Sequence, residues 1–228
     1  MDEKRGVINM KKILTLLVVM AMCIMPMAFA APTGGTVDEL AQETGAAAVV
    51  QTVDIEGGNV TGVNVSTTSI TGRWAGFWGN ITGGIELSDS SANKFYEWTV
   101  SNMDGAVVYV SNGTVSDFGS LAAATVSDLP SYITGAATDN FSNTFTATEI
   151  FNSSSVTNIT STPYAQSWQS GSQGTLKTYA LKDTDGDLVW AGKAQNDVTG
   201  FNGETLDYQI LVPADSTVVT YSFYLELP

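Results

Sequence analysis

The sequence predicts an all-β protein, an antiparallel β-sandwich of immunoglobulin-like or jelly-roll-like type. Three observations support this fold class. Apolar and polar residues alternate with a period of two over residues 218–227, which has no helical interpretation. Asp-Gly pairs at residues 104–105 and 185–186 stand between alternating segments, as they do in β-hairpins. Large aromatic rings lie among glycines over residues 70–87, which is typical of rings packed on a closely approaching backbone.

The first thirty residues carry the features of a secretory signal peptide. Two lysines at residues 11–12 precede an apolar run over residues 13–25, and residues 28–30 form a small-x-small cleavage signature. We therefore expect export and cleavage before Ala31. The apolar run is shorter than the roughly 20 residues that a membrane span requires. We accordingly expect a secreted, extracellular protein associated with the cell surface, without a transmembrane anchor in the mature chain.

The rest of the chain is predicted to contain one domain. Residues 31–45 are expected to form a flexible leader with a short helix, because residues 36–39 fit a capping box. Residues 46–228 are expected to form the β-sandwich. A loop-rich, partly helical insertion is predicted at about residues 111–174, where Ser, Thr, Asn and Gly weaken the strand pattern.

The predicted strands follow from alternation and from turn residues. Residues 70–87 are interpreted as the strand pair on which the fold is assembled, and residues 85–110 as antiparallel strands with short links. In chain order, further strands are predicted over residues 46–55, 95–100, 106–110, 143–151, 175–181, 188–194, 206–212 and 218–227. The turns at residues 103–105 and 183–187 each predict a hairpin between their flanking strands.

Composition excludes several classes of function. The chain has no histidine, which removes Ser-His-Asp triads and most zinc, copper or haem sites. Its only cysteine, Cys23, lies in the predicted signal peptide, so a disulfide cannot stabilise the mature chain. The net charge of −14 repels nucleic acid. We therefore expect no nucleic-acid partner, no required cofactor and no enzymatic activity.

An acidic turn is the one candidate metal site. Asp183, Asp185 and Asp187 alternate along the chain, and carboxylates spaced in this way can converge on Ca²⁺. The spacing lacks the glycine and glutamate of an EF-hand loop. A solvated hairpin without an ion is the alternative.

Sequons for N-glycosylation are concentrated in the middle of the chain, all between residues 59 and 160. In an exported chain these motifs are available to a glycosylating host. We expect Asn80 to be the least accessible of these sites, because it adjoins the aromatic segment. The predicted sites are Asn59, Asn64, Asn80, Asn112, Asn140, Asn152 and Asn158.

Two alternatives to a structural role depend on particular side chains. Exposed and coplanar Trp74, Trp78 and Trp98 would form a sugar-stacking platform, as in a carbohydrate-binding module. Core packing is the competing interpretation of these rings. A pair of carboxylates in a cleft would instead permit glycoside hydrolysis. The candidate carboxylates are Glu86, Glu97, Glu149, Glu204 and Asp207.

One run of residues resembles a known group of proteins. The segment over residues 74–83, Trp-Ala-Gly-Phe-Trp-Gly-Asn-Ile-Thr-Gly, leads to aromatic Tyr96 and Trp98. It is similar to secreted, uncharacterised archaeal surface β-proteins, as are residues 200–203 and 206–213. The resemblance covers about a quarter of the chain and implies an archaeal envelope context where N-glycosylation is common. It implies no catalytic residue and no ligand.

Together these observations predict a secreted, N-glycosylated, non-enzymatic structural or interaction protein of the cell surface. Its expected partners are other surface proteins or further copies of itself, assembled into a layer or filament, with glycans as an alternative. Strand addition through residues 218–227 or 46–55 is the expected mode of assembly.

Overall fold

The computed structural model describes residues 32–37, 45, 52, 63–215 and 218–228. All of them belong to one compact unit. The predicted signal peptide, most of the leader, most of the strand over residues 46–55 and the sequon at Asn59 lie outside the described residues.

The described chain is all-β and antiparallel, as predicted. Its helices are α1 (Ser131–Thr134) and α2 (Phe141–Thr144), with two single 3₁₀ turns before them. The strands are β1 (Thr33–Gly34), β2 (Trp74–Gly79), β3 (Gly83–Ser88), β4 (Lys94–Val100), β5 (Val107–Ser111), β6 (Ala122–Ala123), β7 (Ala147–Phe151), β8 (Ile159–Gln169), β9 (Ser172–Lys182), β10 (Leu188–Lys193), β11 (Val198–Thr199), β12 (Thr205–Leu206), β13 (Tyr208–Pro213) and β14 (Ser222–Glu226).

One large sheet organises the molecule. Its strand order is β1-β14-β5-β10-β9-β8-β7, and β6 pairs with β9 beside this path. All five residues of β5 are buried, because β14 and β10 flank it and both of its faces are covered. The centre of the sheet is therefore an interior layer.

A two-stranded sheet of β2 and β13 covers one face of the large sheet. Trp74 and Val212 from this pair join Val110 and Trp190 from the large sheet in one hydrophobic cluster, called here the first core. Strand β13 crosses β10 at Gly192, where an added Cβ would lie 2.7 Å from the Ile210 side chain. Only a glycine allows the two layers to approach this closely.

The opposite face of the large sheet is covered by its own connections. Tyr109 and Val189 of the sheet pack with Phe118 and Val156, which come from the segments after β5 and β7. This second core also contains the buried carboxylate of Glu226, which accepts hydrogen bonds from Tyr109 Oη (2.7 Å) and the backbone amide of Ser155 (2.6 Å). The arrangement is a sandwich-like fold in which loops replace part of one layer.

The hairpin predicted at residues 183–187 is confirmed. Strands β9 and β10 pair from Leu188 opposite Lys182. Asp183 Oδ1 accepts hydrogen bonds from the amides of Asp185 and Asp187, each at 2.9 Å, and fixes the turn. Gly186 adopts a φ of +92°, which a glycine tolerates without strain.

Two predicted pairings are wrong. Residues 70–87 contain β2 and β3, but β2 pairs with β13 and β3 pairs with β4. The turn at residues 104–105 likewise does not join β4 to β5 as a hairpin; the Gly105 amide donates to Ala194 O instead. The two strands differ in burial. β5 lies between β14 and β10 in the buried centre of the large sheet, whereas β4 is almost entirely exposed.

The C-terminal alternating strand is confirmed over a shorter span, as β14. Phe223 and Leu225 face the first core, and Tyr224 faces the second. β5 pairs with one edge of β14 and the two-residue β1 with the other, so strand addition at β14 stays a prediction that would require β1 to be displaced.

The segment over residues 111–174 combines loops with sheet strands. Its first part forms 3₁₀ turns, β6, α1 and α2, which agrees with a partly helical region. Its second part supplies β7 and β8, which extend the large sheet. Ser170 and Gly171, both at positive φ, make the tight turn that joins β8 to β9.

The ion pair of Asp128 with Lys182 provides a pH-dependent contribution to stability. Lys182 Nζ donates to Asp128 Oδ1 at 2.8 Å, and Thr125 donates to the other oxygen. The hydrogen bond from Lys182, followed by those from Thr125, lowers the pKa of Asp128 to about 2.

We expect Asp128→Asn to lower the free energy of unfolding by about 1 kcal/mol at neutral pH. A depressed carboxyl pKa stabilises the fold above the unfolded-state value and loses this effect as the pH falls towards the folded-state value. The difference from wild type should therefore disappear between about pH 4 and about pH 2. Urea midpoints across this range test the prediction, with Asp185→Asn on an exposed turn as control. A difference that stays constant with pH would contradict it.

Candidate interaction surface

Strands β3 and β4 form a two-stranded ribbon that pairs with no other described strand. Almost every residue of the two strands is exposed, so both faces of the ribbon are open to water. The ribbon thus has little tertiary packing along its length.

One face of the ribbon is apolar. Ile85 lies opposite Trp98, and Leu87 lies opposite Tyr96, so all four side chains share a face. Each is between 49% and 57% exposed. The Tyr96 and Trp98 rings touch, with centroids 4.7 Å apart and planes inclined at 49°. We call these four residues the apolar face.

The other face carries charged side chains, and Phe95, at the irregularity in the pairing of β4 with β3, is 83% exposed. Glu86 lies opposite Glu97, and Lys94 Nζ lies 3.3 Å from a Glu86 oxygen and 3.1 Å from a Glu97 oxygen. The hydrogen bond to Glu97, followed by that to Glu86, raises the pKa of Lys94. The lysine thereby relieves the repulsion of two carboxylates placed directly across the strands.

Both ends of the ribbon are held by specific contacts. At the tip, Asp89 Oδ1 accepts hydrogen bonds from the backbone amides of Ser91 and Asn93. A further hydrogen bond from the Asn93 side chain is the main cause of the lowered pKa of Asp89. At the base, the amide of buried Ile81 donates to Asp207 Oδ2 at 2.7 Å. The ribbon is therefore a defined element fixed at its root to the core.

The three predicted sugar-stacking tryptophans do not form one platform. Trp74 is only 9% exposed, packs against Trp190 and donates from Nε1 to Asp139 O. Trp78 is half-buried against Phe201. Only Trp98 is well exposed. The prediction of a shared surface is wrong for Trp74, because burial of its large ring in the first core stabilises the fold.

The acidic turn does not gather its carboxylates into a metal centre. Asp183 is buried and is used in the turn, as described above, whereas Asp185 is exposed. Asp187 lies against Gly113, where an added Cβ would meet its carboxylate. Within the described ranges, no three His, Cys, Asp or Glu side chains are grouped as metal ligands.

Of the carboxylates named as candidates for hydrolysis, Glu86 and Glu97 share Lys94, whereas Glu149, Glu204 and Asp207 have separate contacts. Glu149 accepts from Lys177 Nζ at 2.6 Å and from the Tyr179 hydroxyl. Although burial alone would raise its pKa, these two hydrogen bonds lower it. Asp207 is buried and accepts from two backbone amides, while Glu204 accepts from Asn202. Each of the three carboxylates therefore accepts hydrogen bonds from within the fold.

The described sequon asparagines differ in accessibility. Asn140 is half-buried and caps α2: its Oδ1 accepts from the Asn143 amide and its Nδ2 donates to Gly135 O. Attachment of a glycan to Nδ2 would disturb this cap. The exposed sequon asparagines are Asn64, Asn80, Asn112, Asn152 and Asn158.

Ile85 and Leu87 were missed as site residues by sequence reasoning. The alternation of Tyr96 and Trp98 was visible in the sequence, but their aliphatic partners become evident only from the register of β3 with β4. Neither strand order nor exposure can be read from alternation alone.

Comparison with protein family models, curated proteins and solved structures found no match to this chain. No helix in the part of the chain that the structure describes combines the length and the apolar character needed to cross a bilayer.

Proposed function

We propose that this chain is a secreted, N-glycosylated, non-enzymatic structural or interaction protein of the cell surface, and that it contacts its partner through the apolar face of the ribbon. The observation that carries the proposal is the exposure of Ile85, Leu87, Tyr96 and Trp98 on one contiguous face. Exposed apolar patches of this kind commonly mark interaction sites.

The distribution of sequons supports this assignment. Asn80 precedes the ribbon and Asn112 follows it, and no sequon lies between them. Both asparagines are exposed. The ribbon itself therefore carries no sequon, which leaves its apolar face without an attached glycan and suits a contact surface. The predicted signal peptide places such a surface outside the cell.

A carbohydrate-binding module is the second candidate. Tyr96 and Trp98 are exposed aromatic rings, which can stack on the apolar faces of sugars. Their planes are inclined at 49°, however, so a flat sugar ring lying on one is not parallel to the other. This geometry favours a protein partner over a glycan.

The test is retention of the protein at the cell surface. We expect the full chain, expressed in an archaeal host that N-glycosylates, to be cleaved before Ala31 and to remain with the cells. Replacing both Tyr96 and Trp98 by serine should shift at least about tenfold more protein into the medium, since aromatic residues at the centre of an interface contribute most to affinity. The measurement is the cell-bound fraction on quantitative blots.

Trp168→Ser is the matched control, because Trp168 is 63% exposed on β8, which pairs with β7 and β9 and not with the ribbon. It should be retained like wild type. Circular dichroism of both variants verifies the fold. Equal retention of wild type and the folded double variant would overturn the assignment of the ribbon.

A further inference from the structure

We propose that the partner of the apolar face is a second copy of this chain, with two ribbons stacked face to face about a two-fold axis parallel to their strands. This inference rests on the proposed function and names its partner. Hydrophobic burial would drive the contact, and the charged faces of both ribbons would stay in water.

The charge distribution favours a like partner. The chain carries 23 acidic against 9 basic residues, so two copies repel each other over most of their surfaces. The apolar face contains no charged side chain. A basic partner would be attracted to the acidic surface rather than to the apolar face. An identical apolar face can pack against the apolar face without bringing like charges together.

The composition of the two strands makes the face complementary to itself. Strand β3 contributes the aliphatic residues Ile85 and Leu87, and β4 contributes the aromatic residues Tyr96 and Trp98. A two-fold axis parallel to the strands places β3 of one copy over β4 of the other. Aliphatic side chains then pack on aromatic rings at both ends, as an isologous contact requires.

The ribbon would also gain stability from a partner. An isolated two-stranded hairpin is at best marginally stable in water. Stacking converts two such ribbons into a small two-layer sandwich with a shared interior. Each copy offers a patch of about 500 Å², so the contact removes about 1,000 Å² from water, at the lower limit for a specific interface. We therefore expect weak, micromolar self-association.

The experiment is sedimentation velocity of the mature, purified protein at about 1 to 200 μM, a range that brackets the expected dissociation constant of about 10 to 100 μM. Wild type and the Trp168→Ser control should form a concentration-dependent dimer. The Tyr96→Ser/Trp98→Ser variant should stay monomeric. Leu87→Lys, which keeps both rings but places a charge in the contact, should also abolish the dimer. Added salt should not weaken it, because the contact is apolar and the remaining repulsion is screened.

The outcomes separate the two proposals. A wild-type monomer over the whole range overturns the homotypic contact, and a dimer that persists in both ribbon variants overturns it too. If the protein is monomeric while cell retention still depends on Tyr96 and Trp98, the proposed function stands and the partner is another envelope component. If retention is also independent of the ribbon, both proposals fail.

Discussion

Replacement of Trp190 by alanine is expected to lower the free energy of unfolding by about 3 to 5 kcal/mol, the largest effect of any single change considered for this protein. Trp190 lies in the middle of β10 and is 1% exposed. Its ring meets Trp74 edge-on at 6.1 Å and Phe145 at 5.5 Å between centroids. Its removal would leave a cavity in the first core that the neighbouring rings, held on β2 and at the end of α2, cannot close.

Urea denaturation followed by circular dichroism measures this loss. Trp168→Ala is the matched control, since the same truncation at an exposed position should change stability by about 0.5 kcal/mol or less. Trp190→Phe should recover part of the stability by refilling part of the volume. A loss of less than about 1 kcal/mol for Trp190→Ala would show that the first core does not depend on this ring.

The second large effect is expected at Asp207. Its carboxylate is buried and accepts from the amides of Ile81 (2.7 Å) and Asp197 (3.0 Å). It thereby joins the root of the ribbon to the turn before β11. Asp207→Asn retains one acceptor oxygen and turns an NH₂ group towards the other amide. We expect a loss of about 2 to 3 kcal/mol, because a buried donor is left without an acceptor.

Two measurements distinguish this local role from a general effect of charge. Asp185→Asn makes the same change on an exposed turn and should be nearly neutral. Hydrogen exchange should accelerate at the amides of Ile81 and Asp197 in the Asp207 variant, but not at those of β9 and β10. Unchanged exchange at both amides would refute the role assigned to this carboxylate.

The elements with local signals could be predicted from sequence. The hairpin of β9 and β10 was found because Asp183 and Gly186 specify its turn within five residues. Strand β14 could be predicted because apolar and polar residues alternate regularly over residues 218–227. In each case the information lies within the segment itself.

Strand partners could not be predicted, because they depend on residues far away in the chain. Strand β2 pairs with β13, which follows it by more than a hundred residues, rather than with adjacent β3. Nothing within residues 70–87 encodes that choice. Burial of Trp74 and Val212 against one face of the large sheet accompanies that choice, and alternation within one strand does not report such a distant contact.

The candidate site was predicted only in part for a similar reason. Trp74 and Trp98 are the same residue type in similar glycine-rich and aromatic surroundings, yet one fills a core and the other faces water. The difference comes from the layer that covers β2 and the lack of such a layer over β4. Sequence specifies the ring, and the tertiary neighbours determine its accessibility.

The interior position of β14 constrains the biogenesis of the protein. Its Glu226 is hydrogen-bonded to Tyr109, 117 positions earlier, and its backbone completes the ladder of β5. Until the ribosome has released residue 226, one side of β5 stays an open strand edge, which is prone to aggregation and proteolysis. Chains interrupted before that point are therefore expected to be degraded rather than to accumulate as partly active fragments.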